Sequence, residues 1–261
     1  MSGRARTMRR LSGKVAFISG GGTGIGKACE LAFAREGARV VVAGRRVGPL
    51  NAVVSEIGVI GGEGLAVRCD VTERASVESA MRVTVERFGG LTTVVNSAGM
   101  VMVADAEGTS DEDWHRLMAI NLTGTFYVSR AAMPELRRGG GGSIINMGSV
   151  YGLIAMKQRA AYAASKGGVT QLSKAMALDH AREGIRVNCI CPAITETELI
   201  QEMFARMPEA ESARQARAEQ IPQGRFGRPE EIANLAVFLA SDEAPWLTGA
   251  AIPIDGGLSA G

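Results

Sequence analysis

Tyr162 and Lys166 stand four apart in a helical pattern, so both side chains project from one face. A free phenol has a pKa of about 10, too high for easy proton exchange near neutrality, and a neighbouring ammonium would lower it by favouring the phenolate. Taken alone, the pair also reads as an ordinary exposed contact. Ser149 lies upstream, just past the strand-like run 143–147, where it would stand beside a cofactor bound at the sheet's carboxyl edge or could equally cap a helix. Reduction of a ketone needs a proton donor at oxygen while hydride arrives at carbon, and Tyr162 with Lys166 beside it suits the donor's part.

Hydride implies a dinucleotide. Directly after the run 15–19 comes Gly20-Gly21-Gly22-Thr23-Gly24-Ile25-Gly26, opening a helix. The strict G-x-G-x-x-G spacing is absent, but the mechanics are the same: glycines permit a tight turn and close backbone approach, and a helix N-terminus faces a pyrophosphate. About 20 residues on, an NAD site would carry a carboxylate for the ribose 2′-hydroxyl. Here the sequence reads Ala43-Gly44-Arg45-Arg46. Guanidinium groups pair with a 2′-phosphate, which favours NADP(H) with NAD(H) still possible, while solvated surface arginines are the alternative.

These residues need a scaffold. Residues 15–19, 39–43, 65–69, 93–96, 143–147, 186–191 and 251–254 read as strands, separated by helical patterns at 26–36, 73–88, 111–136, 160–182 and 229–240. Ser110 and Asp113 have the spacing of a capping pair. Near-continuous Val, Ile and Ala in the strands predicts a parallel seven-stranded sheet covered on both faces, a doubly wound α/β layer. Residues 14–261 form one domain, preceded by a solvated basic tail over 1–13. The segment 194–220 follows a strand's carboxyl end and reads as a mobile helical lid or as an ordinary surface helix.

Composition narrows the classes further. With 261 residues and 29 Lys plus Arg against 27 Asp plus Glu, the net charge of +2 favours no polyanionic partner. Aromatic residues are 5%, so nucleic acid is not expected as a partner. No apolar run approaches a membrane span of about 18 residues. Cys29, Cys69, Cys189 and Cys191 show no metal spacing, and His115 and His180 are isolated, so buried thiols in a reducing cytoplasm are expected and no metal. Lys157 and Arg159 read as solvated loop charges, with contact to an anionic substrate as the alternative. Met156, Met203, Phe204 and Met207 suggest either core packing or an adaptable apolar pocket.

In its ordered motifs the chain resembles the short-chain dehydrogenase/reductase family from about residue 14 to 257. Matching elements are the Gly20/Gly24/Gly26 turn, Asp70-Val71, Asn96-Ser97-Ala98-Gly99, Asn121 within Ile120-Asn121-Leu122-Thr123-Gly124, and Ser149, Tyr162 and Lys166. Asn188 with Pro192, the stretch 225–233, Thr248-Gly249 and Asp255-Gly256-Gly257 resemble the family's second half. The resemblance implies a Rossmann-type fold and an oxidoreductase interconverting a secondary alcohol and a ketone. It makes Tyr162 the general acid/base, has Lys166 also hold the nicotinamide ribose, has Ser149 polarise the substrate, and places Asn121 in a water relay behind Lys166. Cofactor contacts are implied at Gly20, Gly22, Thr23, Gly24, Ile25 and Gly26, at Asp70 and Val71, at Asn96, Ala98 and Gly99, and at Pro192, Ile194 and Thr197.

It also implies a homotetramer and leaves the substrate open. Ser19, Ser97 and Ala193 depart from the usual Thr, Asn and Gly, and strain is conceivable at Ala193 because Ala adopts positive φ less freely than Gly. Thr23 occupies a place where NADP-preferring relatives often carry a basic residue. Rival readings are a nucleotide-binding regulatory protein without turnover, or an enoyl-type reductase, which separates its Tyr and Lys more widely than here.

Overall fold

The computed structural model describes residues 9–260. Seven strands, β1 (Val15–Ser19), β2 (Arg39–Gly44), β3 (Glu63–Arg68), β4 (Thr93–Asn96), β5 (Gly142–Met147), β6 (Ile185–Pro192) and β7 (Ala251–Ile254), form one parallel sheet in the order β3-β2-β1-β4-β5-β6-β7. The order reverses between β1 and β4, so the chain leaves those two strands in opposite directions and opens a crevice at their carboxyl ends.

Strand alternation divides the core into two layers. Ala16, Ile18, Val40, Val42, Val95 and Ile145 face one cluster, built with Phe33 of α1 (Gly24–Arg35) and Ala236 of α9 (Pro229–Ala240). Phe17, Val41, Val94, Ile144 and Val187 face the other, with Met81 of α3 (Arg74–Phe88) and Met176 of α6 (Ala160–His180). Burial on both faces is the reason these strands carry β-branched residues continuously.

Three differences from the sequence-based expectations matter. Helix α2 (Val47–Val59) was not expected, because Gly48, Pro49 and Gly58 dilute its pattern. Pro49 sits in the first turn, where its missing N–H costs nothing, and Leu50, Val53 and Ile57 supply a buried stripe. The expected single helix over 111–136 is α4 (Asp111–Met118) and α5 (Gly124–Arg138), joined by a wider turn over Ala119–Thr123 with i→i+5 character. The Ser110 hydroxyl does cap α4, accepting the Asp113 N–H at 3.1 Å.

The third difference is the tail. Residues 1–8 lie outside the described residues; within 9–13, Arg9, Arg10, Ser12 and Gly13 are exposed as in a solvated tail, but Leu11 is fully buried and Arg10 pairs with Glu36 at 2.7 Å. The segment 194–220 contains α7 (Glu198–Ala205) and α8 (Ala210–Glu219). Among the described residues no helix is long and apolar enough to cross a membrane, and all four cysteines are free and buried.

Candidate active site

A cleft of about 490 Å³ opens at the switch point between β1 and β4. Its floor is the glycine turn. Gly20 has φ +74°, and a Cβ there would lie 2.4 Å from the Ala98 nitrogen, so the turns after β1 and β4 touch through bare backbone. A Cβ on Gly26 would lie 2.3 Å from the Gly20 carbonyl oxygen, which lets α1 start directly against the turn. The first N–H of α1, on Gly24, already donates to a Glu198 carboxylate oxygen at 2.9 Å. That carboxylate stands in for a phosphate oxygen at a helix N-terminus, so the turn fits an anionic dinucleotide.

Beneath the turn lies a residue whose part the sequence does not announce. Glu30, on α1, is fully buried; it accepts only a long 3.4 Å contact from the Gly22 N–H, and its other oxygen has no partner. Burial drives its carboxyl well above the usual carboxylate range. A folded pKa raised above the unfolded one means that stability is lost as pH rises from the unfolded value towards the folded one. Glu30→Gln keeps the shape and removes the charge, so it is expected to stabilise the protein at neutral pH by about 1–3 kcal/mol and to flatten that pH dependence. Thermal melts across pH test this, and an unchanged or lowered melting temperature at neutral pH would contradict it.

On the other side of the cleft, Ser149, Tyr162 and Lys166 converge. The Ser149 hydroxyl oxygen accepts the Tyr151 N–H at 3.2 Å, which leaves its proton free to point elsewhere. Lys166 is buried, and burial lowers its ammonium to about 8. Its Nζ donates to the Met147 carbonyl at 2.8 Å. Tyr162 departs from expectation: burial raises its phenol, and the opposing pull comes from a Ser149 hydrogen bond and the Arg159 guanidinium. Lys166, the expected cation, is not among the groups acting on the phenol, and burial outweighs the opposing pull, so Tyr162 holds its proton at neutral pH, as a proton donor requires.

Asn121 does not line the cleft. It sits in the wide turn between α4 and α5, fully buried, with its oxygen accepting the Met100 N–H at 2.8 Å and its amide donating to the Met100 carbonyl and the Ser165 hydroxyl at 3.0 Å. A point one Cβ away from Gly99 lies 3.4 Å from Asn121 Oδ1 and 3.5 Å from Lys166 Nζ, so the two polar atoms flank a common gap.

Two residues expected at the cofactor, Asn96 and Gly22, are not part of the cleft lining. Asn96, the last residue of β4, turns its side chain into the interior, where it donates to Ser129 and to Asn146 at 2.9 and 2.8 Å. Gly22 backs onto the start of α2, and a Cβ there would meet Pro49 at 3.0 Å. Gly20, Thr23, Gly24, Ile25 and Gly26 line the cleft, as do Arg45, Arg46, Asp70, Val71, Ala98 and Gly99. Pro192, Ile194 and Thr197 line it from beyond β6, and Thr197 also caps α7. Ala193 carries no strain, since positive φ outside glycine occurs only at Gln158 and Glu209 among the described residues.

The apolar candidates divide. Met203 lines the cleft with Ile200. Phe204 turns away and stacks on Phe226 at 5.7 Å over Ile221, with Met207 packed against that small core. Lys157 is exposed, but Arg159 is not a solvated loop charge: it is 7% exposed and lines the cleft. Its position at the start of α6 gives no local sign of burial. Among the described residues no cluster of His, Cys, Asp and Glu is arranged to hold a metal.

Known proteins match the chain along nearly its whole length. A family model described as enoyl-(acyl carrier protein) reductase matches residues 20–259. The chain is 44% identical over 252 residues to 2,5-dichloro-2,5-cyclohexadiene-1,4-diol dehydrogenase of Sphingobium indicum, covering 97% of this chain and 98% of that one. It is 40% identical to D-threitol dehydrogenase of Mycolicibacterium smegmatis, covering 95% and 94%. A crystal structure of a short-chain type dehydrogenase/reductase from Mycobacterium marinum superposes with a TM-score of 0.91 at 37% identity, over 97% and 98% of the two chains.

Proposed function

The chain belongs to the short-chain dehydrogenase/reductase family, and on that footing we propose that its preferred cofactor is NADP(H), with Tyr162 as the general acid/base. It is an NAD(P)-dependent oxidoreductase acting on secondary alcohols and ketones. The observation that carries the cofactor preference is the end of β2. Arg45 and Arg46 are exposed and line the cleft, and no carboxylate stands in the run Ala43-Gly44-Arg45-Arg46 that ends β2. Arg46 is also the N-cap of α2, whose first N–H groups have no side-chain cap. Two guanidinium groups and a free helix N-terminus favour a phosphate over a hydroxyl.

The dinucleotide supplies the hydride. The glycine turn and the start of α1 would hold its pyrophosphate, Asp70 and Val71 would flank the adenine, and Lys166 would bind the nicotinamide ribose. Ser149, its lone pair engaged by the Tyr151 N–H, donates to the substrate oxygen. Tyr162 passes its proton to that oxygen in reduction and takes one back in oxidation. Asn121 and Lys166 border the gap beside Gly99 through which the proton is replaced. Residues 194–220 act as a lid, with Ile200 and Met203 of α7 facing the cleft and Glu198 bound to Gly24.

The test compares kcat/KM for NADP and NAD with one accepted alcohol. Exposed charge-assisted contacts favour NADP by about tenfold, and Arg45→Ala or Arg46→Ala lowers NADP efficiency by most of that factor. An NAD preference in the wild type, or no loss in either variant, would overturn the assignment.

The same reading makes the protein a homotetramer of the reducing cytoplasm, built across α5 with α6 and across the edge strand β7. Leu178 of α6 is 83% exposed and Trp246, on the approach to β7, is 98% exposed, both apolar surfaces that a partner copy would cover. Light scattering is expected to give four times the 27.3 kDa chain mass, and a monomer mass at micromolar concentration would refute it.

A further inference from the structure

Arg159 and Arg186 are both substantially buried, and they are satisfied very differently. Arg186 donates to the carbonyls of Leu239, Ser241 and Leu247, as a structural arginine should. Arg159, 7% exposed, makes one hydrogen bond, from Nη1 to the carbonyl of its own neighbour Gln158 at 2.8 Å. Five N–H donors on a buried guanidinium normally find carbonyl or carboxylate partners. Among the described residues no carboxylate supplies them.

The surroundings add positive charge instead of cancelling it. Burial lowers the Arg159 pKa, and the Arg217 guanidinium lowers it further. Arg217, on α8, donates to the Met156 sulfur at 3.5 Å and to the Gln220 side chain at 3.1 Å, neither of them anionic. Arg159 is held where it is by backbone. Gln158 adopts φ +56°, its carbonyl accepts the Ala104 N–H at 3.0 Å, and Arg159 pairs with Ala104 in an isolated parallel bridge. The guanidinium therefore lines the cleft at the start of α6, one helical turn before Tyr162.

We propose that Arg159 is a specificity-determining residue that binds the carboxylate of a hydroxy-acid or keto-acid substrate, with Arg217 as a second cation over the same group. This rests on the alcohol/ketone reading of the site and names its substrate class. The reaction is unchanged: in oxidation the alcohol carbon would give up hydride to the oxidised cofactor, the hydroxyl proton passes to the Tyr162 phenolate, a C=O bond forms, and the carboxylate is a spectator. A planar fork that receives a carboxylate bidentately completes its hydrogen bonds and loses its repulsion from Arg217. Ile200 and Met203 would cover the carbon chain of a short acid.

The experiment measures binding, so it does not depend on turnover. Protein saturated with NADPH is titrated calorimetrically with short hydroxy acids bearing the hydroxyl two, three or four carbons along, and with their ethyl esters. At least one acid is expected to bind wild type about tenfold to a hundredfold more tightly than its ester. That preference should vanish in Arg159→Gln, return in part in Arg159→Lys and weaken in Arg217→Gln. Esters binding as well as acids, an acid preference that survives Arg159→Gln, or no acid binding at all would overturn the proposal. Should Arg159→Gln fail to fold, the wild-type acid and ester pair and Arg217→Gln decide. Oxidation of neutral secondary alcohols by wild type with no acid preference would sink this inference alone. Acid binding without turnover of any alcohol would sink the underlying redox reading instead.

Discussion

Tyr162→Phe lowers turnover of any accepted alcohol or ketone by about 10²- to 10⁴-fold while leaving cofactor affinity nearly unchanged. The substitution removes one oxygen and its proton and keeps the ring that packs at the start of α6. Burial raises the Tyr162 phenol, and the Ser149 hydrogen bond with the Arg159 charge only partly offsets this, so the group stays protonated through neutrality. The phenol's protonation should therefore not limit reduction across neutral pH, and its own titration should slow reduction only at higher pH. Oxidation, which needs the phenolate, should climb over the same range. Stopped-flow kinetics with either substrate class measures the first effect, and NADPH fluorescence the second. Activity in the variant within about tenfold of wild type would mean that the proton comes from Ser149 or solvent. A large loss of cofactor affinity would mean that the phenol holds the nicotinamide end in place.

Gly20→Ala should be the most damaging single substitution in the cofactor turn. Two penalties act together. The backbone at Gly20 has φ +74°, which an L side chain adopts at a cost of about 1–3 kcal/mol. The new Cβ would also lie 2.4 Å from the Ala98 nitrogen and 2.6 Å from the Ser97 carbonyl carbon, backbone atoms that cannot rotate away. Overpacking of this kind adds about 1–3 kcal/mol. The turns after β1 and β4 must separate, and Ser97 loses the hydrogen bond its N–H makes to the Ser19 carbonyl at 3.1 Å. The expected result is a melting temperature lower by several degrees and NADPH affinity reduced at least about tenfold, measured by thermal melts and fluorescence titration. Gly61→Ala is the control, because Gly61 also has positive φ, at +73°, but nothing within 4 Å of its Cβ position. It should show the conformational cost without the cofactor defect. Equal cofactor affinity in the two variants would show that close approach at Gly20 is not what shapes the site.

Periodicity and turn chemistry are local, and what they govern was legible before any coordinates. The bounds of β1, β4 and β7 follow from short β-branched runs ending in turn residues, and continuous apolar strands implied cover on both faces. The glycine turn, Arg45-Arg46 and the order Ser149, Tyr162, Lys166 place the cleft at the carboxyl ends of β1, β4 and β5. Tertiary structure alone decided the rest, because burial and hydrogen bonding join residues far apart in the chain. The wide turn that seats Asn121 has no local signature, and its partners Met100 and Ser165 lie on other segments. Asn96 reads as a cofactor ligand until its side chain is seen bonded to Ser129 and Asn146 inside the core. Arg159 and Glu30 are the strongest cases. A charged residue is solvated by default, and only the packing of α6 and α8 around one, and of the glycine turn over the other, removes the water that would have made them ordinary.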